Sequence, residues 1–194
     1  MLKLTIKSPL LVVAVFMLAF TLFQVQSAKA ETQLLEDPPI IKTAKSGNID
    51  SMTSYLLRGA HPGMSDGEGK TGLMIATQNE DIDIIELLLS YQALIDQQDK
   101  LGNTALFYAA SRGLYSSVEV LLEHGANPDM KNRQGVTPMM VGATSRDTSI
   151  VELLLNANPD LTLSDYTGRS VLEWSRNSGN AQIEDMLRAA GATD

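Results

Sequence analysis

Two histidines are the first candidates for chemistry in this chain. His61 and His124 are its only histidines, and cysteine is absent. Neither lies in an H-x-x-H or H-E-x-x-H pattern, so the spacing predicts no metal site. The members of a Ser-His-Asp triad need to meet only in space, but the G-x-S-x-G elbow that often presents the nucleophile is missing. We therefore predict no catalytic residue, and a hydrolase built on His61 or His124 stays a remote alternative.

Two short motifs resemble sites for phosphate and for calcium. The segment GEGKTG (67–72) contains Gly-Lys-Thr. A phosphate-binding P-loop would need a glycine at position 64, which is Met64, and no apolar strand precedes the motif. The segment EDID (80–83) starts like a calcium loop, but Ile85 takes the next ligand position and no Gly and Glu complete it. We therefore expect no nucleotide and no metal cofactor.

The first thirty residues have the pattern of a secretory signal peptide. Lys3 and Lys7 precede an apolar run over residues 10–23, and small residues, Ala28 and Ala30, come directly before Glu31. The run is shorter than the ~20 residues that span a bilayer. We predict cleavage after Ala30; the alternatives are cleavage after Ser27 or Ala28, or retention as a membrane anchor. Lipoprotein attachment is excluded because there is no cysteine. An exported chain without cysteine is suited to a Gram-negative periplasm, and secretion beyond the periplasm is the alternative.

Removal of this segment makes the chain strongly acidic. It takes away Lys3, Lys7 and Lys29 and no acid, so the 15 basic residues fall to 12 against 23 acidic ones, a net charge of −11. Nucleic acids are bound by neutralising their phosphates with Lys and Arg. The sequence therefore predicts no nucleic-acid partner, and no membrane partner after cleavage.

A repeat of 33 residues organises the rest of the chain. Gly69, Gly102, Gly135 and Gly168 are spaced by 33, and the same D/N-x-x-G-x-T/S pattern surrounds each one. The four stretches are DGEGKTGLMIAT (66–77), DKLGNTALFYAA (99–110), NRQGVTPMMVGA (132–143) and DYTGRSVLEWSR (165–176). A fixed period of this length is typical of solenoids, in which each unit buries its apolar face only against the next.

This pattern resembles the ankyrin repeat, whose signature is D-x-x-G-x-T-P-L-H-x-A-A followed by a second helix and Gly-Ala. The resemblance begins near residue 38 and implies an all-α ankyrin repeat solenoid of about five helix-turn-helix units joined by β-turn hairpin loops. After the signal peptide and a short linker (31–37), we expect the domain to cover 38–194. Its units would lie at about 38–65, 66–98, 99–131, 132–164 and 165–194, the first being a degenerate cap that lacks the D-x-x-G turn.

Residue types within the repeat predict how each unit begins and ends. Thr71, Thr104, Thr137 and Ser170 are suited to cap the first helices. Gln92 and Asn158 stand where other units have a helix-ending glycine, at a left-handed backbone position. The family histidine is replaced by Met74, Phe107, Met140 and Glu173, and we expect Phe107 to pack in the framework.

The resemblance also implies where a partner binds. In ankyrin repeat families partners meet the hairpin tips and the exposed face of the first helices. Interface hot spots are enriched in Trp, Tyr and Arg, and the matching positions are rich in them. The predicted partner-binding residues are Lys100, Leu101, Asn103, Tyr108, Arg112, Arg133, Gln134, Tyr166, Arg169 and Trp174. The alternative for Tyr108 and Trp174 is packing against neighbouring helices.

These observations predict a non-catalytic, monomeric module that binds another protein of unknown identity. It would act in the periplasm as a scaffold, an accessory factor or an inhibitor, and an immunity protein against a periplasm-delivered toxin is one version of the last. Residues 66–98 carry seven acids against Lys70 alone. That excess either attracts a basic partner or merely keeps an exposed face solvated.

Overall fold

A computed structural model describes residues 37–145 and 147–193. The predicted signal peptide, its cleavage after Ala30 and most of the linker lie outside these residues. The regular elements of the described chain are all helices, and the turns that connect them contain isolated bridges between Ser65 and Thr71 and between Ser164 and Ser170. No helix within these residues has the length and apolarity to cross a bilayer. The all-α class predicted from the repeat pattern is confirmed.

Ten helices occur in five consecutive pairs in the described chain. In order they are α1 Pro39–Ser46, α2 Ile49–Leu57, α3 Gly72–Gln78, α4 Ile82–Ser90, α5 Ala105–Arg112, α6 Tyr115–Glu123, α7 Pro138–Gly142, α8 Thr148–Asn156, α9 Val171–Arg176 and α10 Ala181–Ala189. The two helices of each pair pack against each other. The odd-numbered helices also pack in sequence as one row and the even-numbered helices as a second row, which is the architecture of a solenoid.

The first helices begin at the predicted caps. The hydroxyl groups of Thr71, Thr104, Thr137 and Ser170 each accept a hydrogen bond from the backbone N–H three residues later. Such a cap stabilises a helix by about 1 kcal/mol. In the last unit Glu173, which replaces the family histidine, returns a bond to the Ser170 N–H and completes a capping box.

Most second helices are capped in the same register. Asn48, Asp81, Asp147 and Asn180 each accept a bond from the first turn of their helix. Leu114 occupies this position before α6 and provides no side-chain cap. The Leu114 side chain instead packs against the core.

The left-handed positions at the ends of second helices are occupied as the sequence predicts. Gln92 has φ 62° and Asn158 has φ 52°, where Gly59, Gly125 and Gly191 have φ between 83° and 99°. A side chain disfavours this backbone region. Gln92 and Asn158 are therefore points of local strain that the stacked units hold in place.

The core runs continuously through the stack. Its largest buried side chains are isoleucine, leucine and methionine and come from both rows of helices, as Ile40, Ile84, Leu106, Leu121 and Ile150 illustrate. Small residues on the first helices, including Ala76 and Ala109, are fully buried, as is Ala143 directly after α7. The last unit turns a polar face outward, where Glu184 pairs with Arg188 at 2.8 Å and with Arg176 at 3.6 Å.

Candidate protein-binding surface at the hairpin tips

The tip of each unit from the second to the last is a tight hairpin built by its first Asp or Asn. In the third unit the N–H of Gly102 donates to the carbonyl of Asp99 at 2.9 Å, and the N–H of Asp99 donates to the carbonyl of Asn103 at 3.0 Å. The Asp99 carboxylate accepts from the N–H groups of Leu101 and Asn103 at 2.8 and 2.9 Å. Asp66, Asn132 and Asp165 make the equivalent side-chain bonds. One side chain thus fixes the tip in each unit.

Neighbouring tips are joined into a row by the backbone. The N–H of Lys100 donates to Glu68, that of Arg133 to Leu101, and that of Tyr166 to Gln134, each at 3.0 Å. A Cβ at Gly102 would lie 2.7 Å from the Arg133 nitrogen, and Gly102 has φ 79°. Only glycine combines that backbone with that approach. The tips are therefore held at a fixed spacing along one edge of the stack.

Tyr108 and Asn103 belong to a buried polar network. The Tyr108 hydroxyl donates to Oδ2 of Asp99, and the Asn103 amide donates to the Tyr108 oxygen at 3.3 Å. The Asn103 carbonyl oxygen accepts from the amide of Asn132 at 3.0 Å, which links two units. Asp99, Asn103 and Asn132 are each only 6% exposed. Burial, and next the hydrogen bond to Asp99, raise the pKa of Tyr108 above its usual value.

Trp174 occupies the equivalent position of the last unit and has the equivalent partner. Its indole N–H donates to Oδ2 of Asp165 at 3.1 Å. Arg169 donates to the same oxygen and forms an ion pair with it, both at 2.8 Å. Burial acts to raise the pKa of Asp165, but the bonds from Thr167 and Arg169 outweigh it, so the pKa lies well below its usual range.

The two aromatic rings are partly covered by cations. The Lys70 ammonium lies 5.3 Å from the centre of the Tyr108 ring, and the Arg169 guanidinium carbon lies 4.4 Å from the centre of the Trp174 ring. Both separations are within the range of a cation–π contact. Tyr108 and Trp174 therefore support the tip row from within, and Arg169, which covers Trp174, is exposed.

A pattern in the sequence could have predicted that Tyr108 and Trp174 bond to their turn aspartates. Asp99 and Asp165 are each followed nine residues later by an aromatic residue that carries a hydrogen-bond donor, whereas Asp66 and Asn132 are followed there by Ile75 and Val141. A buried turn aspartate has a second oxygen that needs a donor. The pairing of Asp with Tyr or Trp at this spacing meets that need.

The exposed part of the row combines large apolar side chains with cations. Leu101 and Tyr166 are 64% and 71% exposed. A shallow depression of about 350 Å³ lies beside Leu101, and its lining is completed by Asn103, Phe107, Asn132, Arg133 and Gln134. Phe107 is half-buried and packs against the core, as predicted for the residue that replaces the family histidine. It also presents part of its ring to this depression.

The structure divides the predicted partner-binding residues into two groups. Lys100, Leu101, Arg133, Gln134 and Tyr166 are exposed on adjacent tips. The remaining predicted residues are engaged within the protein. Asn103 is the clear revision: its buried side chain joins two units and leaves almost no surface for a partner. Tyr108, Arg169 and Trp174 hold their turn aspartates, and Arg112 donates to the carbonyl of Gln78 at 3.2 Å.

The motifs that resemble catalytic or ligand sites have structural roles. Nδ1 of His61 accepts from the N–H of Gly63 at 3.0 Å, in the register where Asn127 and Asp160 form the same local turn. His124 contacts the Val120 carbonyl at 2.8 Å through Nδ1. Both histidines are exposed. In GEGKTG the threonine caps α3, and the lysine lies over the Tyr108 ring.

Comparison with known families gives two matches. Residues 40–132 match a family model described as ankyrin repeats (3 copies), and residues 115–155 match one described as ankyrin repeats (many copies). Together the two matches extend over more than half of the chain. No curated protein matches this chain significantly.

Proposed function

We propose that this chain, which belongs to the ankyrin repeat family, is an exported, non-catalytic module that binds another protein through its hairpin tips. Ankyrin repeats indicate a protein–protein interaction module, and the family matches include no enzyme. The proposal adds a place of action, the periplasm, and a defined contact surface.

The observation that carries the proposal is the exposed tip row. Leu101 and Tyr166 expose most of their surface where the units meet solvent. Lys100 and Arg133 extend from the same row. Leu101 and Tyr166 lie on the tips of the third and fifth units, and the exposed Arg133 and Gln134 lie on the tip between them. A preorganised row that combines large apolar side chains with arginine has the composition of a contact surface. The row is also preorganised by its backbone bonds, which lowers the cost of ordering it on binding.

Export is supported by the N-terminal sequence pattern and by the absence of cysteine. N-terminal sequencing of the protein recovered from the periplasm tests it directly. A chain that starts at Glu31 supports export with cleavage after Ala30. A chain that keeps Met1 and fractionates with the membrane contradicts cleavage, and a chain recovered only from the cytoplasm contradicts export.

Affinity capture from periplasmic extract tests the contact surface. The wild-type protein is compared with a Leu101→Ala/Arg133→Ala variant and with the control variant Leu94→Ala/Arg58→Ala. The control removes the same two side-chain types, and Leu94 is 66% exposed against 64% for Leu101. We expect the wild type and the control to recover the same protein and the tip variant to lose it. Equal recovery by both variants would mean that the tips are not the contact surface.

An activity assay of the recovered partner distinguishes an inhibitor from an accessory factor. If the partner is an enzyme or a toxin, its activity is measured with and without the purified protein. Loss of that activity supports an inhibitor, of which an immunity protein is one kind. Unchanged or increased activity supports a scaffold or an accessory factor.

A further inference from the structure

We infer that the partner presents an acidic chain segment with one large apolar side chain, which lies beside Leu101 and Phe107 while its carboxylates face Lys100 and Arg133. The inference rests on the proposed function and adds the chemistry of the partner. It depends on three features of the tip row: an apolar depression, two unpaired cations and the near absence of acids.

The depression beside Leu101 has room for a single large side chain. Its volume is about 350 Å³, and the apolar part of its lining comes from Leu101 and Phe107. The amides of Asn103 and Asn132 also line it, but they are bonded to each other. Burial of an apolar side chain there therefore leaves this pair of polar groups satisfied.

Lys100 and Arg133 are the cations of this surface that remain available. Both are exposed, and in the described part of the chain neither side chain forms an ion pair or a hydrogen bond. The other nearby cations are engaged: Lys70 over Tyr108, Arg112 with the Gln78 carbonyl, and Arg169 with Asp165. Two unpaired cations on adjacent tips attract carboxylates on a segment that crosses both tips.

The charge of this surface is opposite to that of the chain as a whole. On the outer tip positions Glu68 is the only acid, against Lys100 and Arg133. The acid-rich unit at 66–98 does not change this balance. Asp66, Asp81 and Asp96 accept backbone bonds in turns and caps, Glu80 follows the end of α3, and Asp83 and Glu86 lie on α4 in the second row of helices, so none of these six acids occupies an outer tip position. This segregation favours an acidic partner over a basic one at the tips.

Peptide selection tests this chemistry independently of any natural partner. The probe is a random library of twelve-residue peptides displayed on phage and panned against the mature protein. We expect the enriched peptides to contain several Asp or Glu residues around one Leu, Phe, Tyr or Trp. Because exposed charges are screened by salt, binding of a synthesised enriched peptide should weaken as the salt concentration rises from 0.05 to 0.5 M.

Matched variants locate the peptide on the protein. We expect Arg133→Gln and Lys100→Gln each to weaken binding of the enriched peptide by about two- to fivefold, the scale for one exposed charge pair. Leu101→Ala should weaken it by about tenfold, as the loss of an apolar anchor does. Arg58→Gln and Leu94→Ala remove the same side-chain types elsewhere on the protein and should leave the affinity unchanged.

Several results would overturn the inference. Enrichment of basic or neutral peptides, absence of enrichment, or equal binding by the tip variants and their controls would each do so. These results leave the proposed function standing if the capture experiment still recovers a protein that depends on Leu101 and Arg133. Loss of that dependence would instead contradict the proposed contact surface itself.

Discussion

Replacement of Tyr108 by phenylalanine distinguishes a framework role from a contact role. The substitution removes only the hydroxyl, which donates to Oδ2 of Asp99 and accepts from the Asn103 amide. Asp99 is 6% exposed, so water cannot readily replace the lost donor. A buried acceptor left without a partner costs about 1–3 kcal/mol. We therefore expect Tyr108→Phe to lower the free energy of unfolding by about 2 kcal/mol.

Urea unfolding of the mature protein, followed by circular dichroism, measures this loss. With a slope of about 2 kcal/mol per molar urea, the midpoint should fall by about 1 M. Tyr166→Phe is the matched control because Tyr166 is 71% exposed and its hydroxyl forms no bond in the described chain. It should change the stability by less than about 0.5 kcal/mol.

The comparison of the two variants can refute our interpretation. If Tyr108→Phe is as stable as Tyr166→Phe, the hydroxyl is not a necessary partner of Asp99. If Tyr108→Phe is stable and also loses the binding partner, Tyr108 is a contact residue, as the sequence alone suggested. Loss of stability with partner binding retained in the folded fraction would support the framework role.

Three further predictions concern backbone strain, helix capping and pH. Gln92→Gly should raise the free energy of unfolding by about 0.5–1 kcal/mol because Gln92 has φ 62°. The control Gln182→Gly, within α10, should lower it by about 1 kcal/mol. A loss of stability in Gln92→Gly would argue against backbone strain at that position. Thr104→Val should lower the free energy of unfolding by about 1–2 kcal/mol through loss of the cap on α5. Hydrogen exchange should then show faster opening of the first turn of α5, and unchanged exchange would count against the cap. The pKa of Asp165 is depressed in the folded protein. The ionised Asp165 carboxylate therefore contributes fully to the free energy of unfolding above the unfolded pKa of about 3.9, and this contribution is lost as the pH falls below that value. The stability difference between the wild type and Asp165→Asn should therefore shrink as the pH is lowered from 5 to 2, and a constant difference would contradict this assignment.

Periodic features of the fold could be predicted from the sequence, because the solenoid repeats the same helix-turn-helix unit with the same caps and turns. The 33-residue spacing led to the ankyrin resemblance, which implied the helical class, and the threonines at positions 71, 104 and 137 cap their helices as expected. Gln92 and Asn158 could be assigned left-handed conformations only because glycines occupy the same register elsewhere.

The contact surface was harder to predict because exposure depends on neighbours in space. Asn103 and Leu101 both lie at the tip of the third unit, and both match positions that contact partners in the family. The structure buries Asn103 against Asn132 of the next unit and leaves Leu101 exposed. Tyr108 and Trp174 looked like free aromatics until their turn aspartates were placed beside them. The bond between Asn103 and Asn132 crosses two units and has no short-range signature in the sequence, whereas the bonds of Tyr108 and Trp174 lie within one unit, nine residues from their aspartates.

Hydrogen–deuterium exchange of the mature protein, alone and with the captured partner, shows whether the partner binds at the tips. We predict slower exchange on binding at the tips around residues 99–103 and 132–136 and unchanged exchange in the second helices α4 and α6. Protection confined to α4 and α6, with the tips exchanging as in the free protein, would contradict it.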